Sequence, residues 1–192
     1  MFNKVITVLT LLMVAIFSGC VTSSHMTAVD STPDKLKPQP GKSLLVFLRP
    51  SSYGGSIQST LYDGDEYIGT ISAKTKVAYQ ANPGQHTFMI VGESADFMQA
   101  TLDEGKTYYT VIAPRMGVWK ARFSLRPQNG QIPAEDIKKW MDATRLVEIG
   151  PEGKAWATEN AASVMQKKNK YWPKWQSKPA ASKQTLHSSS GL

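Results

Sequence analysis

From Lys42 to Arg126 the chain is a succession of short β-prone stretches separated by turn residues every eight to twelve positions, and few folds accept that rhythm. Ser43 to Leu48 carries five consecutive apolar residues, the pattern of a strand buried on both faces. Ile57 to Tyr62 alternates and leads into Asp63-Gly64, a direct hairpin signal before Glu66 to Ser72. Pro83-Gly84 and Glu104-Gly105 punctuate the strands that follow. Val118 to Leu125 sets Trp119, Ala121, Phe123 and Leu125 on one face, which predicts Trp119 in the core. About eight strands so spaced predict a mainly β domain over residues 42–126, an antiparallel β-sandwich. No βαβ rhythm appears, which disfavours a parallel nucleotide-binding sheet.

Beyond Arg126-Pro127 the period becomes helical. Pro133 suits a first helical turn, Glu135 and Asp136 suit its positive end, and Ile137, Trp140 and Met141 follow at helical spacing. Gly150-Pro151 stops that segment, and a second helix is expected from about Lys154 to Lys170. Residues 127–170 therefore read as a C-terminal helical annex. Residues 171–192 read as a basic, partly disordered tail.

The N-terminal end reads as an address rather than a fold. Residues 1–19 place Lys4 before an apolar stretch that ends at Ser18-Gly19, the form of a secretory signal. That stretch is shorter than the ~20 residues a spanning helix needs. Cys20 is the single cysteine, so no internal disulfide can form. Its place after Ser18-Gly19 resembles a bacterial lipobox, which implies acylation of the thiol, a mature N-terminus at Cys20 and anchoring in a membrane. Val21 stands where an Asp would mark inner-membrane retention, so the resemblance points to the outer membrane, facing the periplasm. Residues 20–41, rich in Ser, Thr and Pro, read as a flexible tether of about 25 Å typical reach, with His25 inside it.

Three passages carry a family likeness: Val46-Phe47-Leu48-Arg49-Pro50, Asn82-Pro83-Gly84-Gln85-His86-Thr87, and Asp103-Glu104-Gly105-Lys106-Thr107-Tyr108-Tyr109. Their order resembles a family of small bacterial lipoproteins with an uncharacterised β-domain, related to PEGA-type extracellular modules. The likeness spans roughly residues 42–126. It implies a small β-sandwich outside the cytoplasm and brings no catalytic residue with it.

The residues that could carry chemistry are few. His25, His86 and His187 are the only histidines, no His-Glu-x-x-His or phosphate-loop pattern occurs, and no metal or cofactor is expected. Asp63-Gly64-Asp65-Glu66 lacks the ligand spacing of a calcium loop and reads as a charged hairpin tip. Of the net charge of +7, residues 160–192 carry +6. Lys167, Lys168, Lys170 and Lys174 interleave there with Tyr171, Trp172 and Trp175, a composition suited to an anionic surface. A helix end that buries its aromatics explains the same residues. Nucleic acid fits the charge, but export argues against it. Two functions follow: a non-enzymatic, lipid-anchored envelope module binding a protein or cell-wall polymer, or an envelope-polymer hydrolase built on carboxylates such as Asp63, Asp65 or Glu93.

Overall fold

The computed structural model describes residues 23–115 and 122–192. Cys20 and Trp119 lie outside them. β2 (Ser43–Arg49) is buried along its whole length, which explains its unbroken apolar sequence. Leu45 and Phe47 face one side of the strand and Leu44, Val46 and Leu48 the other, so both faces must be covered. Around it lie β1 (Met26–Ala28), β5 (Thr75–Ala81), β8 (Thr107–Arg115), β9 (Arg122–Pro127) and β10 (Arg145–Ile149), in the order β1-β10-β5-β2-β8-β9. A second sheet has the order β11-β7-β6-β3-β4. It contains β3 (Ser59–Asp63), β4 (Glu66–Ile71), β6 (Gly84–Val91), β7 (Ala95–Leu102) and β11 (Thr185–Leu186).

The inner faces meet in one core that includes Phe47, Leu61, Phe88, Ile90, Met98, Tyr108, Phe123 and Leu125. The outer faces are covered by helices. Ile137, with Trp140 and Met141, brings α1 (Ala134–Ala143) onto Leu44, Val46 and Leu48. Val164, Trp172 and Trp175 bring α2 (Pro151–Gln176) onto Tyr62, Met89, Val91 and Phe97. The result is a mainly β, sandwich-like fold of four layers: helix, sheet, sheet, helix. Tyr108 and Tyr109 show the alternation directly, the first in the inter-sheet core and the second against α1. Among the described residues no helix is long and apolar enough to cross a membrane.

Four expectations change. The sheets are mixed rather than purely antiparallel, because β2–β8, β5–β10 and β7–β11 pair in parallel. Among the described residues eleven strands replace about eight, and β1, β10 and β11 come from segments outside 42–126. The described part of the 20–41 tether is folded. Met26 is 5% exposed, its Sδ accepts the Thr70 amide at 3.1 Å, and β1 pairs with β10. The tail is also built in. α2 runs on to Gln176, Leu186 lies fully buried in the inter-sheet core, and Gln184 joins Trp175 Nε1 (2.8 Å) to the buried Asp96 carboxylate (2.6 Å). Leu186 between the sheets, the Gln184 hydrogen bonds and the Thr107–Leu192 backbone pair hold a segment whose composition alone suggests disorder.

Candidate functional site

The seven residues of the basic-aromatic stretch share the last turns of α2, yet the fold divides them. Trp175 is 3% exposed, and Trp172 lies stacked on it at 5.2 Å and edge-on to Phe97 at 5.0 Å. Lys167 donates to the Gly92 carbonyl at 2.6 Å, and Lys168 pairs with Asp65 at 2.5 Å. Lys170 and Lys174 are exposed, and both place their ammonium groups over the half-buried Tyr171 ring. Of the seven, Lys170, Lys174 and the edge of Tyr171 stand open to solvent, whereas Lys167 and Lys168 are engaged by Gly92 and Asp65. Packing against Phe97 accounts for Trp172 and Trp175.

The carboxylates considered for hydrolysis are apart. Asp63 pairs with Phe88 across β3–β6, whereas Glu93 lies beyond Val91, which pairs with Thr60. Phe88 and Val91 are three strand residues apart, about 10 Å, and Glu93 lies past Val91 in the β6–β7 turn, at the opposite end of β3 from Asp63. Asp65 is at the hairpin tip on Lys168. Asp63 is bound by its own neighbours: it accepts from His86 Nδ1 at 2.7 Å and from the Tyr79 hydroxyl at 3.1 Å. His86 Nε2 faces the Asn82 carbonyl at 2.8 Å, and the ring stacks on Phe88. Both ring nitrogens face acceptors, so the imidazolium satisfies two hydrogen bonds where the neutral ring satisfies one. The hydrogen bond to Asp63 raises the His86 pKa, burial opposes that rise, and the Asn82 carbonyl adds to it. Burial first, then Asp63 and Glu66, pushes the Tyr79 hydroxyl up.

A cleft of about 380 Å³ opens between the Trp156-to-Lys167 stretch of α2 and the adjoining ends of β3, β4 and β6. His25, Thr60, Glu93, Trp156, Asn160 and Lys167 are among its walls. β1 brings His25 there: the Gly150 amide donates to the His25 carbonyl at 2.9 Å, and the imidazole stacks on Trp156 at 5.0 Å. Gly153 allows this approach, since a β-carbon there would collide with the His25 carbonyl. Glu93 sits in the β6–β7 turn, closed by the Gly92 amide on the Ser94 carbonyl. His25 Nδ1 and Glu93 Oε2 are buried and, among the described residues, have no hydrogen-bond partner. Such atoms are rare in folded proteins and mark where a polar partner is missing. A larger cavity of about 680 Å³ beside α1 has mostly apolar walls, including Ile137, Met141 and Leu192, and none of the unpartnered atoms.

Sequence reading singled out Glu93 and Lys167 but not Trp156 or Asn160, and it placed His25 in the tether. Only tertiary packing of α2, against the His25 segment and the β6–β7 turn, brings these residues together. Among the described residues no three His, Cys, Asp or Glu side chains group as metal ligands. Comparison with family profiles and with curated proteins finds no match.

Proposed function

We propose that this chain is a lipid-anchored envelope lipoprotein whose folded body binds a protein, polymer or surface of the envelope and does not catalyse a reaction. The observation that carries the reading is Cys20, the one cysteine, placed directly after an apolar segment closed by Ser18-Gly19. The scattered carboxylates and the cleft with unpartnered polar atoms support binding over hydrolysis. The resemblance of three passages to small envelope lipoproteins points the same way, and the outer membrane facing the periplasm is the proposed location.

The fold shortens the anchor. Ser23 is already 3% exposed, so only Val21 and Thr22 separate the proposed acylated residue from the folded body. The three Cα steps from Cys20 to Ser23 reach at most about 11 Å. The body is then held against the bilayer at its β1 end rather than swinging on a long tether. Metabolic labelling with a fatty acid tests the anchor. Label in the wild-type protein and none in Cys20→Ser is expected, and label retained in Cys20→Ser would contradict it.

A further inference from the structure

We infer that the cleft between α2 and the β3–β4–β6 sheet end binds a zwitterionic lipid headgroup carrying a primary ammonium and a phosphate, from the membrane that holds the anchor. The cleft part of the inference stands on the structure alone, and the choice of a lipid source rests on the anchored reading. The lining is of mixed sign. Glu93 offers a carboxylate oxygen, Oε2, that is buried without a donor, and His25 Nδ1 is likewise unpartnered. Both can accept from an N–H, which a primary ammonium supplies three times over. Lys167 stands on the same wall, held by one hydrogen bond to the Gly92 carbonyl, and its ammonium keeps two further donors for an anionic oxygen. Asn160 and Ser163 line the cleft on the same helix face as Lys167.

A simple anion meets the Glu93 carboxylate here, and a simple cation meets Lys167. A ligand with both charges meets a partner for each. The volume, about 380 Å³, falls at the small end of ligand sites, near 300–1,000 Å³. Trp156 contributes an aromatic wall, the side chain most at home at headgroup level. Position agrees as well. His25 is five residues from Cys20, so at most about 18 Å of chain lies between the cleft wall and the proposed acylated residue. A cleft so close to its own anchor faces headgroups at a high local concentration.

The discriminating chemistry is the ammonium hydrogen. Phosphoethanolamine and phosphocholine share the phosphate and the charge, but the methylated nitrogen of choline cannot donate to Glu93 or His25. Full-length protein in a maltoside detergent, free of phospholipid, is titrated with each by calorimetry. Saturable binding of phosphoethanolamine, at least about tenfold tighter than phosphocholine, is expected. Glu93→Gln should weaken it by about 10- to 100-fold, the cost of losing a charged hydrogen bond, with thermal melting unchanged. Glu159→Gln, exposed on α2 outside the cleft, should leave binding as it was. Equal binding of the two compounds, no binding of either, or full binding by Glu93→Gln overturns the site. A second arm places the acylated protein in nanodiscs of phosphatidylethanolamine or phosphatidylcholine and follows amide exchange at 92–93 and 156–167. Slower exchange only with ethanolamine lipid supports the headgroup. Tight binding of soluble phosphoethanolamine with no difference between nanodiscs overturns the lipid source. The titration needs no acyl chain, so its failure and a failure of the Cys20 anchor are read separately.

Discussion

Arg49 ends β2 with no exposed surface and, among the described residues, no carboxylate partner. Its guanidinium spreads over the carbonyls of Tyr53 (3.2 Å), Gly54 (2.9 Å) and Ile57 (2.6 Å) and lies 4.8 Å above the Phe123 ring. Burial lowers its pKa to about 10, still far enough above neutrality to keep it charged. The planar fork closes the 50–58 loop over the end of the sandwich, and an ammonium cannot reproduce it. Arg49→Lys should cost about 2–4 kcal/mol in a denaturant melt, because carbonyls are left without donors. Lys138→Ala, at an exposed position, should stay within ~0.5 kcal/mol. His86 gives a pH signature. Its folded pKa is raised above the ordinary 6.5, so its contribution is fully present below pH 6.5 and is lost as pH rises through the folded pKa. Stability should therefore decline above pH 6.5, and His86→Gln should remove that decline. A wild-type curve as flat as that of the variant would contradict the Asp63–His86–Asn82 arrangement.

α2 is the element on which structural and surface roles separate. Trp175→Ala should cost about 3–5 kcal/mol, since it empties a buried site against Phe97 and strands the Gln184 amide. The double change Lys170→Gln, Lys174→Gln should leave the melt unchanged and lower the affinity of the full-length protein for anionic vesicles, with the wild-type difference fading at high salt. Equal affinity of both proteins would confine these lysines to solvation. What the sequence made legible follows from length and period. β2 was readable because an unbroken apolar run has one economical explanation, two covered faces. α1 was readable from Ile137, Trp140 and Met141. β10, with Leu146 and Val147 buried between exposed Arg145 and Glu148, is too short to stand out between two helices. β1 and β11 contribute three and two residues and have no period to detect. In the cleft, Glu93 and Lys167 were visible as charges. His25, Trp156 and Asn160 became partners only through tertiary packing, which local pattern does not encode.

For the whole molecule, the sandwich is sealed by chain from both ends. β1 borders the six-stranded sheet, β11 borders the five-stranded sheet, and the Leu192 amide and carbonyl bond with Thr107 at 3.0 and 2.9 Å. The described body begins three residues after Cys20, so acylation there, as proposed, would make that cysteine a mounting point rather than the end of a leash. The proposed membrane proximity, the proposed headgroup role of the cleft and a surface role for the exposed lysines all depend on that residue. The most direct measurement is the intact mass of the protein extracted from membranes of its host. Loss of residues 1–19 together with a mass increase equal to acyl chains on the N-terminal Cys20 is the predicted result. A full-length, unmodified chain in those membranes would contradict it.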